Sequence, residues 1–199
     1  MRLRSDIAWS TADQIGVFGY DLVRELIGKV SLGEMGFLEI TGRLPNARES
    51  RMFEAMLVTL VEHGLVPSAI ATRKTATGAP EALQASVAAG LLGLGSVFVG
   101  STEGAARMLA AAIPDPKKPW KMTELAATIV DEHRAQKRIV SGIGHPVHKL
   151  VDPRTRRLFT LARATGFHGS YVELMKVVAR RAAKLANRPL PINATGAIG

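Results

Sequence analysis

The sequence predicts an all-α fold, and three observations carry that expectation. Apolar residues recur at the three-to-four spacing of helices, glycines and prolines punctuate them at about one helix length, and no run alternates convincingly with period two. Ser31 with Glu34 and Asn46 with Glu49 have the spacing of capping boxes, in which side chain and backbone satisfy each other's free donors at a helix start. The second box opens a stripe of Met52, Phe53, Met56, Leu57, Leu60 and Val61 that stops near Gly64. Pro80 then opens a helix to about Leu92 whose small face, Ala82, Ala85, Ala88 and Ala89, permits close helix approach. Another helix is expected from Ser101 to about Ile113.

Pro114, Pro116 and Pro119 cannot continue that helix and mark the best domain boundary. Beyond them Thr123 is expected to cap a helix to about Gln136, and Asp152 with Pro153 to open another. Ser170 with Glu173 reads as a third capping box, opening a helix that ends before Arg188-Pro189-Leu190-Pro191. Asn193 to Gly199 reads as the opening of one more helix, which suggests a product lacking its C-terminal continuation.

Composition narrows the class. Hydrophobic residues make up 47% and charged residues 22%, as in soluble globular chains, and no apolar run approaches membrane-spanning length. There is no cysteine, which excludes disulfides and thiolate metal sites; with no basic-then-apolar leader at Met1, a cytoplasmic protein is expected. The net charge of +9 is local, because Arg134 to Arg188 holds 13 lysines and arginines against Asp152 and Glu173. A nucleic-acid surface needs interleaved stacking aromatics, and this segment has only Phe159, Phe167 and Tyr171, so no nucleic-acid partner is expected. A ligand carrying several phosphates, or a solvated basic face, explains the charge equally well.

The richest stretch is Gly142-Ile143-Gly144-His145-Pro146-Val147-His148-Lys149, followed by Asp152-Pro153-Arg154. Two glycines let backbone N–H groups approach phosphate or carboxylate closely, His145 can donate or transfer a proton, and Arg154 offers a two-pronged grip on a carboxylate. His148, three residues on, faces the same ligand if the segment is helical; a metal site there lacks a third ligand. Other residues read plainly: His133 and His168 as surface or loop positions, Glu103 as a partner for free helix N–H groups, Trp9 and Trp120 as packing. Arg73 is open between surface charge and a ligand or dimer contact.

Taken in order, these motifs resemble the citrate synthase superfamily, and within it the citryl-CoA lyase type. The resemblance covers essentially the whole chain. Gly19-Tyr20-Asp21-Leu22, Gly28-Lys29-Val30-Ser31 and Thr41-Gly42-Arg43 look like the family's opening helices, and Glu62-His63-Gly64 with Ala71-Thr72-Arg73 resembles its first histidine motif. Gly100-Ser101-Thr102-Glu103 resembles the glycine-rich start of the next helix, and Gly142 to Arg154 is similar to the family signature, the most specific of the set.

The resemblance implies a citrate synthase-like two-domain helical homodimer. A large domain would span 1–113 and resume at about 191–199, a small domain would span 114–190, and the site would lie in the cleft. It implies that His63 and His145 bind oxygens of the acid, that Arg154 grips a carboxylate, and that Ser141, Gly142, Ile143 and Gly144 lie along CoA, with Lys149 as a phosphate contact. CoA enters as a thioester substrate or product, and no metal is implied. The implied reaction cleaves citryl-CoA, or a similar 3-hydroxyacyl-CoA, to acetyl-CoA and a 2-oxo acid. A condensing acyltransferase and a non-catalytic CoA- or carboxylate-binding relative are the alternatives.

Two positions depart from the synthase pattern. Phe98 stands where synthases carry a second histidine, which the lyase type also lacks. Thr195, in Asn193-Ala194-Thr195-Gly196, stands where the family places its acid/base aspartate, and a hydroxyl cannot shuttle a proton as a carboxylate does near neutral pH. Either Glu62, His63 or His148 supplies the proton, or the substrate needs no such step, or the protein binds without catalysis.

Overall fold

The structure, a computed structural model, describes residues 5–61, 64–97 and 99–199, and it divides into two compact units at Val58/Thr59. Glu62, His63 and Phe98 lie outside the described residues. Helices dominate, as the apolar spacing predicts.

The first unit opens with an antiparallel sheet that the sequence did not announce: β1 (Ala8–Ser10), β2 (Ile15–Val17) and β3 (Tyr20–Asp21), in that order. Strands of two or three residues are too short to display an alternation. The β2–β3 turn places Phe18 (φ 47°) and Gly19 (φ 86°) both at positive φ, the geometry of a tight hairpin turn. Trp9 pairs with Gly16 across β1 and β2, and a Cβ on Gly16 would lie 2.5 Å from its ring, so Trp9, though 53% exposed, packs on a residue that must be small.

Asp21 then caps a π-helical turn, Leu22–Leu26, by accepting from the N–H groups of Val23 and Arg24. Helix α1 (Leu32–Thr41) starts with the expected Ser31–Glu34 capping box. Helix α2 (Ala47–Leu60) starts with the expected Asn46–Glu49 exchange, in which Asn46 Oδ1 accepts from two N–H groups and Glu49 accepts from the Asn46 N–H. Arg43 clamps the same Glu49 through two bonds of 2.7 and 2.8 Å; this, with the bond from the Asn46 backbone, pulls the Glu49 carboxyl down to about 2. Val17, Leu26 and Leu38 form the small core of this unit. The α2 stripe is only half covered: Phe53 meets Phe37 edge to face, whereas Leu57 and Leu60 are exposed.

In the second unit, α3 (Pro67–Gly78) and α4 (Leu83–Leu92) form a hairpin. Its contact face differs from the expected alanines: Ala85 and Ala88 are exposed, while Ser86 and Gly90 are buried against α3. A Cβ on Gly90 would lie 2.2 Å from the Thr72 hydroxyl, so glycine and not alanine sets the approach. Pro80 precedes the helix by a turn instead of opening it.

The main core joins α5 (Gly100–Ala112), α6 (Met122–Ala135) and α8 (Ser170–Ala186) through Leu109, Ile113, Ile129, Val130, Leu174, Met175 and Val178. The proline-rich link is fastened to it: Tyr171 donates to the Ile113 carbonyl, Trp120 Nε1 to the Asp115 carbonyl, and Ser170 to the Pro116 carbonyl. That last bond corrects the third capping box. Ser170 is spent on the link, Glu173 pairs with Lys176, and the residue preceding α8 is Gly169 with no side-chain cap. Likewise Lys121, not Thr123, stands at the N-terminus of α6, with no side-chain cap. Glu103 pairs with Arg107 on the surface of α5 instead of with backbone N–H groups. Helix α7 (Pro153–Thr165) is capped by Asp152 as expected, and α9 (Ala194–Ile198) by Asn193.

Candidate active site

Two distant stretches of chain meet at the site. Ile143 bridges Ile192, the Gly144 N–H donates to the Pro191 carbonyl at 2.7 Å, and the Asn193 N–H donates to the Gly142 carbonyl at 3.0 Å. The contact is backbone on backbone: a Cβ on Gly142 (φ 81°) would lie 2.4 Å from the Gly196 Cα, and one on Gly196 would lie 2.2 Å from the Gly142 carbonyl oxygen. Both glycines are therefore required by space, and Gly142 by its left-handed backbone as well. Asn193 completes the seam, its Nδ2 donating to the Gly144 carbonyl and its Oδ1 accepting from the Gly196 N–H.

Beside this seam lies a cavity of about 490 Å³. Ser141, Gly142, Ile143, Gly144, His145, Arg154 and Thr195 line it, so all the expected positions but two share one pocket. Of those two, His63 lies outside the described residues, and Lys149 sits off the lining with its Nζ donating to the His145 carbonyl at 3.4 Å. His148 is not on the lining either: the segment does not turn helical, and its ring lies against that of His145, centroids 4.5 Å apart. His133 and His168 are spent elsewhere, on the Ile129 carbonyl and on Lys176, and Arg73 is exposed.

Donors crowd both ring nitrogens of His145. The Val147 and His148 N–H groups lie 3.1 and 2.9 Å from Nδ1. Arg154 Nη2 stands 3.1 Å from Nε2, and a guanidinium can only donate. An imidazole and a guanidinium side by side on a cavity wall can hold a negatively charged or carbonyl oxygen and exchange a proton with it.

Asp152 holds Arg154 in place. Its oxygens accept from Arg154 Nε at 3.0 Å and Nη2 at 2.8 Å. Burial raises the Asp152 pKa, but the bonds from the Arg154 side chain and backbone outweigh it, so the carboxyl titrates below its ordinary range; the same pairing raises Arg154. Opposite, Thr195 donates to Asn193 Oδ1 at 2.7 Å and lies 3.1 Å from the Ser101 hydroxyl.

Reasoning from sequence missed Ser101, Arg138 and Asn193 as lining residues and gave Asp152 only a capping role. Ser101 and Asn193 did stand inside quoted motifs. What was missing was the knowledge that two helix starts, 92 residues apart, face the same space.

The fold and site together define a helical protein whose pocket, built on a glycine seam, brings an imidazole and a guanidinium to one wall. The family model described as the citrate synthase C-terminal domain matches residues 20–195, and the chain belongs to that family. In structure it is similar to a citryl-CoA lyase from Hydrogenobacter thermophilus, at 35% identity and a TM-score of 0.84 over 98% of this chain and 73% of that one. An ATP citrate lyase variant from Methanosaeta concilii in complex with (3S)-citryl-CoA shares the fold, with a TM-score of 0.79 at 23% identity over 100% of this chain and 32% of that one. In sequence it is 32% identical over 136 residues to ATP-citrate synthase subunit 1 of Sordaria macrospora, covering 68% of this chain and 19% of that protein. The chain thus spans about a fifth of the length of that curated relative.

Proposed function

We propose that this chain carries a citryl-CoA lyase site, cleaving citryl-CoA or a similar 3-hydroxyacyl-CoA to acetyl-CoA and a 2-oxo acid. The observation that carries the reading is the convergence of His145 Nε2 and Arg154 Nη2 at 3.1 Å on the pocket wall. In such a cleavage the bond between the methylene beside the thioester and the carbinol carbon breaks. Its electron pair passes to the thioester as an enolate, the carbinol oxygen becomes a ketone as it loses its proton, and the enolate carbon takes up a proton. Arg154 suits the neighbouring carboxylate, and the His145 imidazole suits the carbinol oxygen, where it can take up the proton released as the ketone forms.

Ser141 to Gly144 would lie along the pantetheine arm, with the apolar Val97 and Ile139 beside it and Arg138 to meet a phosphate; Lys149, off the lining, would have to leave the His145 carbonyl to do the same. Thr195, in its hydroxyl chain with Ser101 and Asn193, can orient or relay a proton but cannot store one near neutral pH. That feature favours the second reading, a relative that binds CoA and carboxylate without turnover. A condensing acyltransferase is the third.

The same proposal includes a large part, 1–113 resuming near 191, and a small part, 114–190; the packing of α9 on α5 supports the return of the chain at 191. It includes a homodimer, supported by the exposed apolar residues Leu83, Val87 and Leu91 of α4, and a cytoplasmic location. Among the described residues no helix is long and apolar enough to cross a membrane.

Incubation with citryl-CoA, with released oxaloacetate reduced by coupled malate dehydrogenase, tests the reading. Turnover abolished by His145→Ala supports it; CoA binding without turnover selects the binding relative, and net citrate from acetyl-CoA and oxaloacetate selects the acyltransferase.

A further inference from the structure

We infer that Asp152 is a positioning residue, whose buried carboxylate aims the Arg154 guanidinium at the carboxylate of the ligand. The inference rests on the functional reading above. Asp152 is 1% exposed, and both of its oxygens are engaged twice. Oδ1 accepts from the Arg154 N–H and Nε, each at 3.0 Å; Oδ2 accepts from Arg154 Nη2 at 2.8 Å and, from the other side, from the Ala194 N–H at 3.1 Å.

A helix cap alone does not call for this arrangement. Ser31 and Asn46 cap α1 and α2 with small, neutral, exposed side chains, whereas burying a carboxylate is costly and needs several donors in return. Besides the Arg154 N–H that a cap would take, the donors here come from one guanidinium and from the start of α9, the same segment that carries Asn193 and Thr195 into the pocket. The clamp occupies the Nε edge of Arg154, sets Nη2 against His145 Nε2 and leaves Nη1 for the cavity. The Ala194 bond stops the carboxylate from swinging with the arginine. A long side chain fixed before the ligand arrives loses no rotamer freedom on binding.

The test measures citrate and CoA binding by calorimetry on the full chain carrying Asp152→Asn, Asp152→Ser, Arg154→Ala, and Asp152→Ser with Arg154→Ala. Asparagine turns one acceptor into a donor facing two other donors, while serine keeps the α7 cap but cannot reach the guanidinium. The expected result is a Kd for citrate raised at least about tenfold by either Asp152 variant, with affinity for CoA within about threefold of the parent. The double variant should bind citrate within about twofold of Arg154→Ala alone, because Asp152 acts through Arg154.

Citrate affinity unchanged in either Asp152 variant overturns the inference, as does a double variant whose losses add. Loss of the folded state in both single Asp152 variants also overturns it, by making the carboxylate a requirement of folding alone. If the parent binds neither citrate nor CoA, the functional reading itself fails; if the parent binds both and only the variant pattern disagrees, the reading stands and the positioning role falls.

Discussion

The seam around Asp152 and the α3–α4 hairpin belong to one compact unit and are held in opposite ways. At the seam, backbone hydrogen bonds join 142–144 to 191–193 and a buried carboxylate gathers four donors, all within the chain. The hairpin has close helix packing on its inner face at Ser86 and Gly90, yet it presents Leu83 (73% exposed), Leu91 (62%) and Leu92 (88%) on the outside. A self-satisfied polar network needs nothing further, whereas an exposed row of large apolar side chains is stable in water mainly when something covers it. The described part of the pocket is tied together within one chain; the hairpin is where a partner is to be sought.

The largest effects should come from the donors at the seam. His145→Ala and Arg154→Ala are each expected to lower turnover of citryl-CoA by about 10²–10³, since one removes the group that exchanges a proton and the other a donor to negative charge. Parent-like kcat/KM in either would break the comparison at its functional end.

Next come the glycines. Gly142→Ala combines a left-handed backbone with a Cβ 2.4 Å from the Gly196 Cα and should cost about 2–4 kcal/mol of stability, read from urea melts. Gly95→Ala, where a Cβ meets nothing within 4 Å, is the matched control and should be nearly neutral.

On the hairpin, Leu91→Asp should shift the sedimentation profile toward monomer while altering the stability of the dilute chain by less than about 0.5 kcal/mol. A parent chain that already sediments as a monomer removes the proposed cover.

Acid titration bears on the seam. The Asp152 carboxyl lies below its ordinary value in the folded chain, so its contribution to stability is present above the ordinary carboxylate range and is lost as pH falls through and below it. Asp152→Asn should flatten that acid limb of the melting temperature. The smallest effect is expected for Glu103→Ala, which opens an exposed pair with Arg107 and should change stability by about 0.5 kcal/mol or less.

Much of this was legible from local chemistry. The Ser31, Asn46 and Asp152 caps, the helical content and the nearness of His145 to Arg154 follow from residues at most nine positions apart, and local spacing suffices for them. Where a side chain had a competing distant partner the local reading failed: Ser170 took the Pro116 carbonyl, 54 residues away, in place of a helix cap. The short β1–β3 sheet escaped notice because its hydrogen bonds come from a tight turn and not from any side-chain pattern.

The sequence by itself determined which residues could bind an anion and which helices could exist, because capping, φ preference and apolar spacing act within a turn or two of chain. Tertiary structure alone decided that Thr195 faces Ser101, that Gly196 lies on Gly142, and that Asp152 serves Arg154 and Ala194 together. These contacts join positions 42 to 94 residues apart, and only the packed core of α5, α6 and α8 brings such positions within hydrogen-bond reach.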